Sequence, residues 1–267
     1  MKKWLSRSVL VLASLLLCFT LSAQAQDCSD QETAHPAFKW TGTEPLILLT
    51  EYNPWAMAVG FDTPTFALYV DGTVIYSQGD RTSGKYVTAH LTQTQVSHWL
   101  EAAHLDKLDQ FKDCYSIFDG TDAPTNVLVV KTSRGFKSIE VYGMIRHLEN
   151  VPQTRLPADL QTAFKTLLAF RAEKATPWQP PYFEVIIWPF TYAKSSARWP
   201  SSFPGISDQN TQRIRSGYRL FLPITELDQY KDFIATIKPK QAVLLNGRKW
   251  TLSARFPFPH EGAVGGL

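Results

Sequence analysis

Phe66-Ala67-Leu68-Tyr69-Val70-Asp71-Gly72-Thr73-Val74-Ile75-Tyr76-Ser77 sets two strand-forming runs on either side of an Asp-Gly pair. A type I′ turn needs φ > 0 at both central residues, which glycine accepts freely and aspartate tolerates. A two-residue loop at Asp71-Gly72 also fixes a register. Val70 then faces Thr73, Leu68 faces Ile75 and Phe66 faces Ser77, with Ala67, Tyr69, Val74 and Tyr76 on the opposite face. Two more hairpins are expected. One joins Asn126–Lys131 to Phe136–Tyr142 through Ser133-Arg134-Gly135. The other spans Gln241–Phe256 and turns at Asn246-Gly247, the strongest short hairpin signal.

Helices fall between these hairpins. Thr92 and Gln95 form a capping box ahead of Val96, Trp99, Leu100 and Ala103, an apolar stripe at helical spacing. Pro157 opens a second helix to about Lys174, with Leu160, Phe164, Leu167 and Leu168 on one face. Thr225, with Asp228 at the box position, caps a third that carries Leu227, Tyr230, Phe233, Ile234 and Ile237 and stops at Pro239. Leu46–Tyr52, Ala56–Gly60, Lys85–His90, Phe183–Phe190 and Gly217–Leu222 read as further strands. Residues 78–84, 105–124 and 191–216 read as loops. The expected fold class is α+β: mainly antiparallel hairpins with helices on one face, in two units. The order strand, capped helix, hairpin occurs twice, from Lys85 and from Tyr218. Thr176-Pro177-Trp178-Gln179-Pro180-Pro181 is a stiff connector. The domains are therefore set at 1–25, 26–176 and 177–267.

Residues 1–25 have the form of a signal peptide. Lys2, Lys3 and Arg7 precede the apolar run Val9–Leu21, and Ala23-Gln24-Ala25 is a small-x-small cleavage site. The expected location is periplasmic or secreted, after cleavage near Ala25. Lipidation at Cys18 is a minor alternative, because Leu17 stands where a small residue is wanted. No later apolar run reaches the roughly 18 residues that a membrane span needs.

The chain has 27 Lys+Arg and 24 Asp+Glu, and the three cations of the leader leave the rest balanced. Nucleic-acid binding needs a basic surplus, so it is not expected. Cys28 and Cys114, 86 residues apart, are expected to form one disulfide in an exported chain. Closing that loop would stabilise by roughly 4 kcal/mol, less any strain.

Catalytic and metal motifs are near misses. Gly79-Asp80-Arg81-Thr82-Ser83-Gly84-Lys85 lacks the Ser/Thr and the following helix of a phosphate loop. No histidine pair has i, i+4 spacing, and Glu101 with His104 reads as a surface pair near a helix end. Asp113, Asp119 and Asp122 miss the calcium-loop spacing, and Thr121-Asp122-Ala123-Pro124-Thr125 reads as a turn. Gly205-Ile206-Ser207-Asp208-Gln209 lacks the second glycine of a nucleophile elbow. The long 191–216 loop is the ligand-site candidate, with Trp188, Tyr192, Trp199 and Asp208 as its residues, because long loops and aromatic side chains beside polar groups often bind. Packing under the loop is the competing reading of those aromatics.

Leu68-Tyr69-Val70-Asp71-Gly72-Thr73-Val74-Ile75-Tyr76, a helix, Thr121-Asp122-Ala123-Pro124-Thr125 and then Gly135-Phe136-Lys137 to Val141-Tyr142-Gly143 together resemble a domain of unknown function in bacterial exported proteins and lipoproteins. The resemblance covers about residues 61–172. It implies an α+β fold and export, and it carries no catalytic residues. The expected function is a non-catalytic exported binding or envelope-interaction module without a cofactor, its partner an envelope polymer or another exported protein. The alternative is a hydrolase of envelope or extracellular polymers whose site assembles across the fold.

Overall fold

The computed structural model describes residues 42–52, 54–55, 62–78 and 85–261. Cys28, the Ala56–Gly60 strand and the 79–84 loop lie outside them. The fold class is α+β: the described residues form two sheets of mostly antiparallel strands and three α-helices.

The first sheet has eight strands. These are β1 (Pro45–Tyr52), β2 (Pro64–Tyr69), β3 (Thr73–Ser77), β4 (Tyr86–His90), β5 (Cys114–Ser116), β6 (Thr125–Thr132), β7 (Gly135–Tyr142) and β8 (Thr176–Trp178). Their order is β5-β7-β6-β1-β2-β3-β4-β8. One face carries Ile47, Leu49, Phe66, Leu68, Val74, Tyr76, Leu128, Val130, Ile139 and Val141. It is covered by α1 (Gln93–Ala102) and α2 (Ala158–Ala169), which bring Val96, Leu160, Ala163, Phe164 and Leu167. Burying each large apolar side chain there stabilises by about 1.5–3 kcal/mol. The opposite face carries Leu48, Ala67, Tyr69, Ile75 and Val129. It is covered by Trp178, Phe256 and Phe258. The backbone N–H of Thr43 donates to the Pro259 carbonyl at 3.0 Å, which fastens the chain's far end to this sheet.

The second sheet has six strands, β9 (Tyr182–Pro189), β10 (Ser196–Arg198), β11 (Gln212–Ile214), β12 (Gly217–Pro223), β13 (Ala242–Leu245) and β14 (Arg248–Arg255). They run in the order β10-β13-β14-β9-β12-β11. Helix α3 (Leu227–Ala235) packs Leu227 and Tyr230 onto Phe183, Val185, Ile187, Leu220, Leu222 and Val243. Two pairings are parallel, β5 with β7 and β10 with β13.

The opening hairpin forms one register away from expectation. Phe66 pairs with Tyr76, Ala67 with Ile75 and Leu68 with Val74. The loop therefore holds three residues, Val70, Asp71 and Gly72. The Gly72 N–H donates to the Tyr69 carbonyl at 3.0 Å and Gly72 has φ +87, as in a turn closed by a bulge. Asp71 accepts from the Thr73 N–H and hydroxyl at 2.9 and 3.0 Å, which holds the wider loop. The slip exchanges the faces of β3, so Val74 and Tyr76 join Phe66 and Leu68 under the helices. Asn246-Gly247 forms the expected two-residue loop, with φ 48 and 72.

Other boundaries also move. The capping box of α1 forms as expected, with the Gln95 N–H donating to the Thr92 hydroxyl and the Thr92 N–H donating to the Gln95 side chain. Helix α2 ends at Ala169 and not near Lys174. Phe170 turns out of the helix to stand edge-on to Phe66, Tyr76 and Trp99, 5.1–5.4 Å between centroids, and the Tyr76 hydroxyl takes the Ala172 N–H. Thr225 does not cap α3: Ile224–Glu226 is a turn of 3-10 helix, and Glu226 holds the cap position without a side-chain bond. The Thr176–Pro181 connector begins as edge strand β8, with Pro177 paired to Val87. An edge is where a strand proline is tolerated. The 105–124 and 191–216 segments are not wholly irregular, since they contain β5 and then β10 and β11.

Candidate functional site

The 191–216 segment folds back along the second sheet and closes one wall of an open groove of about 500 Å³. Its lining is Arg198, Trp199, Pro200, Ser201, Phe203 and Gly205 from that segment, with Leu244–Gly247 from the end of β13 and its turn. The strong β-turn at Asn246-Gly247 ends β13 abruptly, which leaves room beside it. Trp199 fixes the wall. It is 5 % exposed, its indole N–H donates to the Pro204 carbonyl at 3.0 Å, and its ring stands edge-on to Phe203 and Phe233. The Thr211 hydroxyl donates to the Gly205 carbonyl at 2.8 Å, and Gln229 of α3 donates to Ser202, so both flanks of the wall are anchored. The lining mixes polar and apolar surface: Pro200, Phe203, Leu244 and Leu245 stand beside Ser201 and Asn246, and Arg198 is its one ionisable side chain.

The structure separates the four expected ligand residues. Trp199 lines the groove but is mostly committed to the core under α3. Tyr192 is 83 % exposed and stands edge-on to Phe190 at 4.8 Å. Trp188, on β9, is half-buried, and among the described residues its indole N–H meets no acceptor. Asp208 is exposed and accepts from the Asn210 N–H at 3.0 Å, a turn bond. Tyr192, Trp188 and Asp208 are not in the groove lining. Arg198, Ser201, Phe203 and Leu244–Asn246 are the residues that sequence reading missed. Arg198-Trp199-Pro200 carried the only local signal, a cation and an aromatic side chain at a strand end.

A second cluster gathers ionisable groups without forming a groove. Glu184 on β9 is fully buried and bonded by both Arg219 on β12 and Arg255 on β14, the latter at 2.6 Å. Arg255 also grips Glu261 through two bonds of 2.8 and 2.7 Å. Burial opposes the Arg255 charge, but the Glu261 and Glu184 carboxylates outweigh it and raise its pKa. His260, next along the chain, meets the Tyr69 hydroxyl of β2 at 3.0 Å. Burial, and then the Arg255 charge, push His260 down to about 4, so its ring is neutral near pH 7. Burial pushes the Tyr69 hydroxyl up. These charges are spent on one another, and the neutral His260–Tyr69 bond beside them joins the segment after β14 to the first sheet.

The near-miss motifs resolve into ordinary pairs. His104 meets Asp159 of α2 at 2.6 Å and ties the two helices at their ends. Asp113 is bonded by Lys137 and Asp119 by Arg155, while Asp122 sits in a turn at φ 65. The Arg155 bond holds the Asp119 carboxyl below its usual range. Lys85 leads into strand β4, where a phosphate loop would need a helix. No group of three or more possible metal ligands is found among the described residues. Nor is any described helix long and apolar enough to cross a membrane.

Charge divides unevenly. Residues 176–267 hold eleven Lys+Arg against six Asp+Glu, and residues 26–175 hold thirteen against eighteen. The groove therefore lies on the basic part. No family model, curated protein or solved structure matches this chain.

Proposed function

We propose that the chain is an exported binding module of the cell envelope that acts without catalysis, and that the groove beside Trp199 is its ligand site. The observation that carries this reading is the composition of the groove. Aromatic and aliphatic side chains interleaved with Ser201, Asn246 and a single cation suit recognition, whereas acid–base hydrolysis needs at least a pair of converging ionisable groups. Export rests on the Lys2–Ala25 leader and on the resemblance of residues 61–172 to exported proteins. A Cys28–Cys114 bridge would clip the residues around Cys28 to β5, the parallel edge of the first sheet.

The full-length chain, produced in a host with a periplasm, is expected there lacking residues 1–25 and with the mass deficit of one disulfide. Calorimetry of the mature protein against soluble envelope polymers and unfolded exported polypeptides is expected to give saturable binding to one of them. Ser201→Trp, at an exposed position of the groove wall, is expected to abolish it. Binding to none of them overturns the reading, and cleavage of the polymer overturns its non-catalytic part.

A further inference from the structure

Strand β10 forms one edge of the second sheet and runs straight into the groove, its last residue Arg198 being part of the lining. Its one neighbour among the described residues is β13, in parallel, with Ser196, Ala197 and Arg198 aligned to Ala242, Val243 and Leu244. The Ala242 N–H donates to the Ser195 carbonyl and the Trp199 N–H to the Leu244 carbonyl, both at 3.0 Å. A parallel ladder uses alternate residues, so Ser195, Ala197 and Trp199 turn their backbone groups toward β13. Ser196 and Arg198 turn theirs to the open side. Such an edge is a template for an added strand.

The surroundings of that edge say which strand it takes. Lys194 and Lys240 are exposed at its beginning, where Ser195 meets Ala242. Arg198 and Arg248 are exposed at its end, Arg198 beside Leu244 and Arg248 opposite Leu245. Cations thus flank both ends of a three-residue edge. Asp208 of the same segment accepts from the Asn210 N–H, and Asp228 of α3 is paired with Lys231. The far edge of the other sheet is protected differently, since β8 carries Pro177.

Resting on the groove as the ligand site, we infer that the ligand is an extended acidic peptide segment, added as a strand along β10 with alternate side chains entering the groove. Main-chain bonds to Ser196 and Arg198 give the affinity. Phe203, Leu244 and Leu245 of the groove take one side chain, and the four cations select carboxylates over cationic sequences.

A fluorescein-labelled peptide of alternating Glu and Val tests this by anisotropy, beside its Lys–Val counterpart. The acidic peptide is expected to bind saturably and more weakly as salt rises. Ser196→Pro removes an outward N–H that the fold does not use, and it is expected to weaken binding by about tenfold or more with an unchanged far-ultraviolet spectrum. Arg198→Glu with Arg248→Glu is expected to do the same at surface positions, so the test survives if the proline variant misfolds. Equal binding of the Lys–Val peptide overturns the proposal. So does self-association of the mature chain, seen by sedimentation equilibrium and lost in Ser196→Pro, because the edge then serves a second copy. If neither peptide binds while an envelope polysaccharide does so in a manner blocked by Ser201→Trp, the peptide class fails and the binding module stands. If nothing binds, both fail.

Discussion

The two sheets each bury a carboxylate on an interior strand and each reverse the chain at an Xaa-Gly pair, yet they do both differently. Glu51 on β1 is bonded twice by Arg146, at 2.8 and 2.6 Å, and by the Thr65 hydroxyl at 2.6 Å. Arg146 is partly open to solvent. Glu184 on β9 is fully buried between two guanidiniums, and Arg255 is nearly as buried as its partner. The hairpins differ in the same sense. Gly72 is pressed against the segment after β4: an added Cβ would lie 2.2 Å from the Leu91 carbonyl oxygen, whereas at Gly247 it would meet nothing within 4 Å. The strand–helix–hairpin order recurs, but the hairpin joins its sheet through its first strand in one case (β6 on β1) and its second in the other (β14 on β9). A shared order of elements along the chain thus fixes neither the sheet order nor how tightly a polar group or a turn is held.

The carboxylates give the largest expected difference. Glu184→Gln leaves two guanidiniums facing a neutral amide, and Arg255 buried, at a cost of about 3–5 kcal/mol. Glu51→Gln, beside a half-open arginine, is expected to cost about 1–3 kcal/mol. Urea denaturation of both variants measures the gap, and equal losses would break the comparison.

The link between the sheets comes next. His260 falls from 6.5 to about 4 on folding, so the unfolded chain takes up its proton first as the pH drops. The stability it contributes is complete above its unfolded value and is lost as pH falls toward about 4, up to roughly 3 kcal/mol. Thermal melts from pH 7 to 4 are expected to show this loss, reduced in His260→Gln. Identical pH profiles for the two proteins would remove His260 as the cause.

The turns give the smallest effects. Gly72→Ala combines a backbone clash with positive φ and is expected to lower stability by about 2–3 kcal/mol. Gly247→Ala carries only the positive φ, about 1 kcal/mol. Chemical denaturation of the pair tests whether turn context, and not turn sequence, sets the cost.

Much of the fold was legible in the sequence wherever local chemistry decides the outcome. Asn246-Gly247 and the Thr92–Gln95 box formed as read, because both are closed by contacts within a few residues. The register at Asp71-Gly72 was not legible. Every residue of β2 is buried, so no polar alternation marks its faces, and Asp71 supports a three-residue loop as well as a two-residue one. The end of α2 was hidden because Phe170 continues an apolar run while belonging to a ring cluster built from three distant elements. The 191–216 region was found as a region. Its groove was not, since four of the ten lining residues, Leu244–Gly247, come from some forty residues on. Glu184 did leave a trace: a lone acid inside the apolar run Phe183–Phe190 has to find cations if the strand is interior.

Phe256–Glu261 covers the second face of a sheet whose β2 is nearly two hundred residues earlier, Tyr69 and His260 being 191 apart. During synthesis Leu48, Ala67, Tyr69 and Ile75 therefore wait for Phe256 and Phe258 before they gain their cover. Contacts of such separation slow folding, which keeps a translated chain open longer and makes completion of the first sheet report that the segment after β14 has been made.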